Sequence, residues 1–131
     1  MRLVTLMLAA LALVALAAAC GGVRKVSMDD VASCMQDSGK FAAVTSGDKG
    51  QIRYAGSQGG VQATYKGTQP VTVNVLIGQD SGEASNLQSN LAESGVFVDS
   101  TRVHNAVYAI PVADKDSPNR SAAGDATKEC L

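Results

Sequence analysis

The residues of this 131-residue chain that offer most chemistry are three cysteines, Cys20, Cys34 and Cys130, and a single histidine, His104. A catalytic base needs an orienting acid and a nucleophile within reach. Asp99 and Ser100 lie near His104 in sequence, but they read as part of a polar turn, and His104 reads as an exposed turn residue beside them. A transition-metal site wants several His, Cys or carboxylate ligands. Cys34 and Cys130 lack a CxxC partner, and one histidine cannot complete a set. Asp114-Lys115-Asp116 lacks the spaced oxygens of a calcium loop and reads as a solvated loop. Gly56-Ser57-Gln58-Gly59-Gly60 is followed by no Lys-Ser/Thr pair and opens no helix. It fails as a phosphate loop and reads as a flexible connector. Tyr54, Tyr65 and Tyr108 read as packing residues with wet hydroxyls. No catalytic residue, cofactor or metal is therefore expected. The chain reads as a binding or interaction module, with an envelope hydrolase of unrecognised site as the alternative.

Bulk properties narrow the partner classes. The formal net charge is −1, so nucleic acid has no electrostatic footprint here. Trp is absent, and two Phe and three Tyr make stacking platforms for bases or sugars scarce. The core must be built from Val, Ala, Leu and Ile.

The first residues read as an export segment. Met1-Arg2 is a short basic start, and residues 3–16 are apolar except for Thr5. The run is short of the ~20 apolar residues that span a bilayer and has the proportions of a signal core. Ala17-Ala18-Ala19-Cys20 follows. The segment resembles a bacterial lipoprotein signal with its lipobox. That resemblance implies lipidation of Cys20, cleavage before it, and a lipid-anchored location on the extracytoplasmic face of the cell membrane. Leu is usual three residues before the cysteine, and Ala17 stands there instead. Ala17-x-Ala19 also suits an ordinary signal peptidase, which would release a soluble protein with a free Cys20. An odd cysteine count leaves one thiol to explain, and lipidation of Cys20 leaves an even pair. Residues 1–19 are then the signal, 20–26 a flexible tether, and 27–131 a single domain. Removal of the signal leaves roughly 110 residues, one domain's worth. Its partners would be the membrane, through Cys20, and an envelope protein, polymer or small ligand.

The elements that must position these groups follow from local patterns. Ser27 caps a helix in which Met28, Val31, Ala32 and Met35 recur at helical spacing, with Asp30 at capping-box distance and Gly39 as C-cap. Cys34 borders that stripe. Residues 41–45 form a strand, and residues 46–60 a mobile loop with a short strand at 51–54. Residues 61–66 alternate apolar and polar. Gly67-Thr68-Gln69-Pro70 is a turn, and Val71, Val73, Val75 and Ile77 line one face of the next strand. Asp80 with Glu83 starts a second helix with Ala84, Leu87 and Leu91 inward and Gly95 at its end. Val96-Phe97-Val98 and Thr101-Arg102-Val103 are short extended pieces. His104-Asn105 reads as a turn or bulge, with Asn tolerant of positive φ. Residues 106–112 are the last strand. Ser117-Pro118 starts the final helix, whose inward face carries Ala122, Ala126 and Cys130. Helices interleaved with a mainly antiparallel sheet predict an α+β two-layer sandwich. The strand-strand-helix-strand order fits part of a ferredoxin-like arrangement.

Three segments carry a wider resemblance: Val31-Ala32-Ser33-Cys34-Met35, Asn105-Ala106-Val107-Tyr108-Ala109-Ile110 and Glu129-Cys130-Leu131. Through them the mature region resembles small lipoproteins and secreted proteins of high-GC Gram-positive bacteria. The resemblance implies a compact fold and a helix-to-helix disulfide, Cys34 to Cys130, and no activity. The residues agree with that pairing, since both cysteines sit on or beside an apolar helix stripe and export places them in an oxidising compartment. Two buried free thiols, or a bond from either cysteine to an unlipidated Cys20, are the alternatives.

Overall fold

The computed structural model describes residues 24–131. The expected signal, Cys20 and the first part of the expected tether lie outside the described residues. The first helix, α1, runs Met28–Asp37. Ser27 is extended, and its Oγ accepts the Asp30 backbone N–H at 3.2 Å. Gly39, at φ +70°, takes the left-handed turn that ends the helix. Val31, Ala32 and Met35 are buried, as their spacing predicts.

Strand β1, Phe41–Gly47, extends two residues beyond expectation. It pairs antiparallel with β2, Gly60–Tyr65, across a bulge between Ala42 and Thr45. β2 and β3, Val71–Ile77, form the expected hairpin, in register from Gly60 opposite Leu76 to Tyr65 opposite Val71. Helix α2, Ser81–Ser94, is capped by Asp80, which accepts the Glu83 N–H at 2.8 Å, and ends at Gly95 with φ +70°. The two extended pieces that follow are one strand, β4, Phe97–Val103, irregular between Phe97 and Asp99. β5, Ala106–Pro111, returns antiparallel to it, and Val112–Asp114 form a single 3₁₀ turn.

Helix α3, Arg120–Lys128, begins later than Ser117-Pro118 suggests. Ser117 Oγ accepts the Asn119 N–H, and the Arg120 N–H donates to the Ser117 carbonyl, so this segment closes a turn of its own. The Asn119 side chain does not cap α3; its Nδ2 donates to Thr68 Oγ1 and the Gln69 carbonyl of the β2–β3 turn. The inward face is also rotated from expectation: Ala123, Ala126, Thr127 and Cys130 are buried, while Ala122 is exposed.

The five strands form one sheet in the order β1-β2-β3-β5-β4, antiparallel at every pairing. β3 and β4 therefore run parallel with β5 between them, and α2 makes the crossover. This split unit is the part shared with a ferredoxin-like arrangement. On one face Val71, Val73, Val75, Ile77, Tyr108 and Ile110 pack against Val31 and Met35 of α1 and Ala123 and Ala126 of α3. The reverse face of the β3-β5-β4 half carries Leu76, Val107, Ala109 and Phe97 beneath Ala84 and Leu91 of α2. The fold is thus an α+β sandwich in which β3 and β5 are buried on both sides. That explains why β5 is apolar at nearly every position.

Residues 46–60 depart most from expectation. Residues 51–54 form bends rather than a strand. Tyr54 instead packs edge-on against Phe97, with ring centroids 4.8 Å apart. The glycine-rich connector is tied to the sheet. Gly56 and Gly59 exchange backbone hydrogen bonds, the Gln58 N–H donates to the Ile77 carbonyl, and the Ile77 N–H donates to the Gly59 carbonyl. Glycine is required for closeness: a Cβ at Gly56 would overlap the Ile77 carbonyl, and one at Gly60 would lie 2.6 Å from the Tyr54 carbonyl oxygen.

Candidate functional site

Cys34 and Cys130 are bonded, with Cα atoms 5.6 Å apart, within the span a disulfide tolerates. The bond joins α1 to the residues just after α3. Beside it, Lys40 Nζ donates to Glu129 Oε2 at 2.9 Å. The Glu129 hydrogen bond, helped by its charge, raises the Lys40 pKa above the ordinary lysine value. Both partners are exposed, so the bridge orients more than it stabilises.

The other residues of chemical promise are dispersed. His104 sits in the β4–β5 turn at φ +54°, so the histidine, not Asn105, takes the left-handed position. Asp99 and Ser100 are not turn residues; they lie within β4, opposite Ile110 and Ala109. Asp114 Oδ2 accepts the Thr72 N–H at 3.0 Å and pins the 3₁₀ turn to the start of β3. Tyr65 packs against Phe41, and Tyr108 is buried in the core. Among the described residues no group of three or more His, Cys, Asp or Glu side chains is placed to hold a metal ion.

Two hollows remain. The larger, about 420 Å³, lies where the segment leading into α1 meets the end of β3 and is lined by Lys25, Met28, Asp29, Gln58, Gln79 and Asn105. Its buried amide is already committed. Asn105 Oδ1 accepts the Val26 N–H at 2.7 Å, and Nδ2 donates to the Val26 carbonyl at 3.0 Å and the Gly78 carbonyl at 2.8 Å. Asn105 thus docks the incoming chain onto the end of β3, and this hollow is built around that dock.

The smaller hollow, about 200 Å³, is a slot between α3 and the β4-β5 edge. β4 contributes Asp99 and Thr101, β5 the floor of Tyr108 and Ile110, and α3 the wall of Arg120, Ser121, Gly124, Asp125 and Lys128. Arg120 Nε donates to Asp99 Oδ2 at 2.9 Å across it. Tyr108 is 5% exposed. Its hydroxyl has no hydrogen-bond partner among the described residues, and no fully enclosed polar side-chain atom is left unpaired, so the oxygen opens into the slot. Gly124 makes that opening, since a Cβ there would stand 3.2 Å from the Tyr108 oxygen. The Asp99–Arg120 pairing had no signal in sequence, because strand and helix are joined only by the fold. Gly124 within an otherwise Ala-rich helix was a legible mark of close approach.

Comparison with known proteins finds no matching family model, no matching curated protein and no matching solved structure.

Proposed function

We propose that the mature chain is a lipid-anchored extracytoplasmic binding module rather than an enzyme. The observation that carries the binding reading is the slot beneath α3, a concave site whose floor presents the Tyr108 hydroxyl, unpartnered among the described residues, to an external ligand. The slot holds hydroxyls and charged groups but neither His104 nor a cysteine, the residues best suited to act as base or nucleophile.

The disulfide supports the anchoring half of the reading. Cys34 and Cys130 satisfy one another, which leaves Cys20 as the third cysteine for lipid attachment. Disulfides persist in oxidising compartments outside the cytosol. Attached acyl chains add about 0.8 kcal/mol of membrane affinity per buried methylene.

Membrane fractionation of the wild type and Cys20→Ala tests the anchor: the wild type is expected in the membrane fraction and the variant in the soluble one. Equal partition of both overturns it. Reproducible hydrolytic turnover abolished by His104→Ala would overturn the non-catalytic reading.

A further inference from the structure

Resting on the binding reading above, we propose that the α3 slot binds a small zwitterion of amino-acid size, carrying one carboxylate and one ammonium group.

Size sets the first limit. About 200 Å³ is below the range of drug-sized ligand pockets, about 300–1,000 Å³. A hollow of that size encloses only a small solute. Nucleotides, peptides and polymer chains are too large to be enclosed there.

Charge sets the second. Four ionised side chains line the slot: Asp99, Arg120, Asp125 and Lys128. Asp99 and Arg120 neutralise each other across one end. Asp125 and Lys128 take part in no ion pair among the described residues, so one carboxylate and one ammonium remain for a ligand. A purely anionic solute would meet Lys128 but also the uncompensated Asp125. A purely cationic one would meet the reverse. A solute with both charges answers both.

The third constraint is the floor. The Tyr108 ring is buried, and its hydroxyl lies at the floor of the slot with no hydrogen-bond partner among the described residues. A hydroxyl in this state favours a hydrogen-bonding ligand, and a carboxylate bound between it and Lys128 would accept a charge-assisted bond. The ligand's ammonium group then faces Asp125. Thr101 and Ser121 supply further hydroxyls on opposite walls. Gly124 keeps the approach to the floor open.

The test is an NMR titration of the protein purified from its native cells in detergent micelles, following the Gly124 and Ser121 amides and the Arg120 Nε–H. The probes are glycine, alanine, serine and glutamate as zwitterions, with acetate, methylammonium and glycerol as controls. Saturable shifts at Gly124 and Ser121 with at least one zwitterion, and none with the controls, are expected. Tyr108→Phe, which removes only the oxygen, and Lys128→Gln should each weaken binding about tenfold. The spectrum of the unliganded Tyr108→Phe protein, unchanged away from the slot, shows that the fold survives. Equal shifts with acetate, with methylammonium or with glycerol overturn the zwitterion assignment in favour of an anion, cation or polyol site. No shift with any probe removes the slot as a small-ligand site. Cross-linking of the same protein in its envelope separates the two readings: a captured partner there with a silent slot sinks this inference and leaves the binding module standing.

Discussion

At the scale of single residues, Asn105 has the widest reach. One buried amide pairs with both backbone groups of Val26 and with the Gly78 carbonyl, residues far apart in sequence. A buried backbone group that loses its partner costs about 1–3 kcal/mol. Asn105→Leu, close in volume but without hydrogen-bonding atoms, should therefore lower stability by about 2–4 kcal/mol in urea unfolding, water recovering part of the loss. The Val26 amide should become fast to exchange in the same variant. Slow exchange at Val26 would show that some other group holds the tether. The sequence marked the His104-Asn105 pair as a turn but assigned the special backbone to the wrong partner. Asn tolerates positive φ better than His does, yet here Asn105 is needed inward for its amide, and His104 takes the left-handed position.

At the scale of elements, α3 is a nine-residue helix, short enough to be marginal alone. It docks through small residues, Ala123, Gly124 and Ala126, and each buries little apolar surface. The Cys34–Cys130 bond therefore matters most here. It closes a loop across a sequence separation of 96 residues. In the chain-entropy model such a loop contributes about 4–5 kcal/mol. Cys34→Ser with Cys130→Ser should lower stability by about that amount, and hydrogen exchange should show the α3 amides opening before those of β3. Uniform loss of protection would mean that α3 unfolds only with the whole domain.

The glycine loop is the second weak point at this scale. Its hydrogen bonds to Ile77 require Gly56 against the β3 carbonyl. Gly56→Ala should cost at least about 2 kcal/mol, as steric overlap with backbone must be relieved by moving the loop. An unchanged urea midpoint would show that the loop is not bound to β3. The helix ends at Ser27, Gly39, Asp80 and Gly95 were legible because capping acts within three or four residues. This loop was not, because its partner strand lies some twenty residues further along the chain.

At the scale of the whole molecule, the proposed anchor and the Asn105 dock would together constrain orientation. Val26 lies six positions after Cys20, and an extended chain covers about 3.3–3.6 Å per residue. On the anchored reading, the end of the domain bearing Asn105 lies within about 20 Å of the bilayer surface. The β2–β3 turn stands at the other end of β3, a seven-residue strand and so about 20 Å further along. A fluorophore at Ser27 should then be quenched by headgroup-labelled lipid more strongly than one at Gln69. Equal quenching at both sites would mean that the domain lies flat on the membrane or is not tethered.

What the sequence by itself determined is local in origin. Alternation placed β2 and β3, and capping residues and left-handed glycines bounded α1 and α2; the pairing of Cys34 with Cys130 was an expectation with alternatives, which the structure resolves. These signals work because the groups involved are within a few residues of one another. Only the tertiary structure decided the rest. It inserted β5 between β3 and β4, put α2 on the face opposite α1 and α3, and turned α3 so that Ala123 rather than Ala122 faces inward. The slot exists through that choice. An Ala- and Gly-rich helix has no bulky side chain to fix its rotation, so the sheet surface and the disulfide set it, and that rotation brings Arg120 to Asp99 and opens Gly124 over Tyr108.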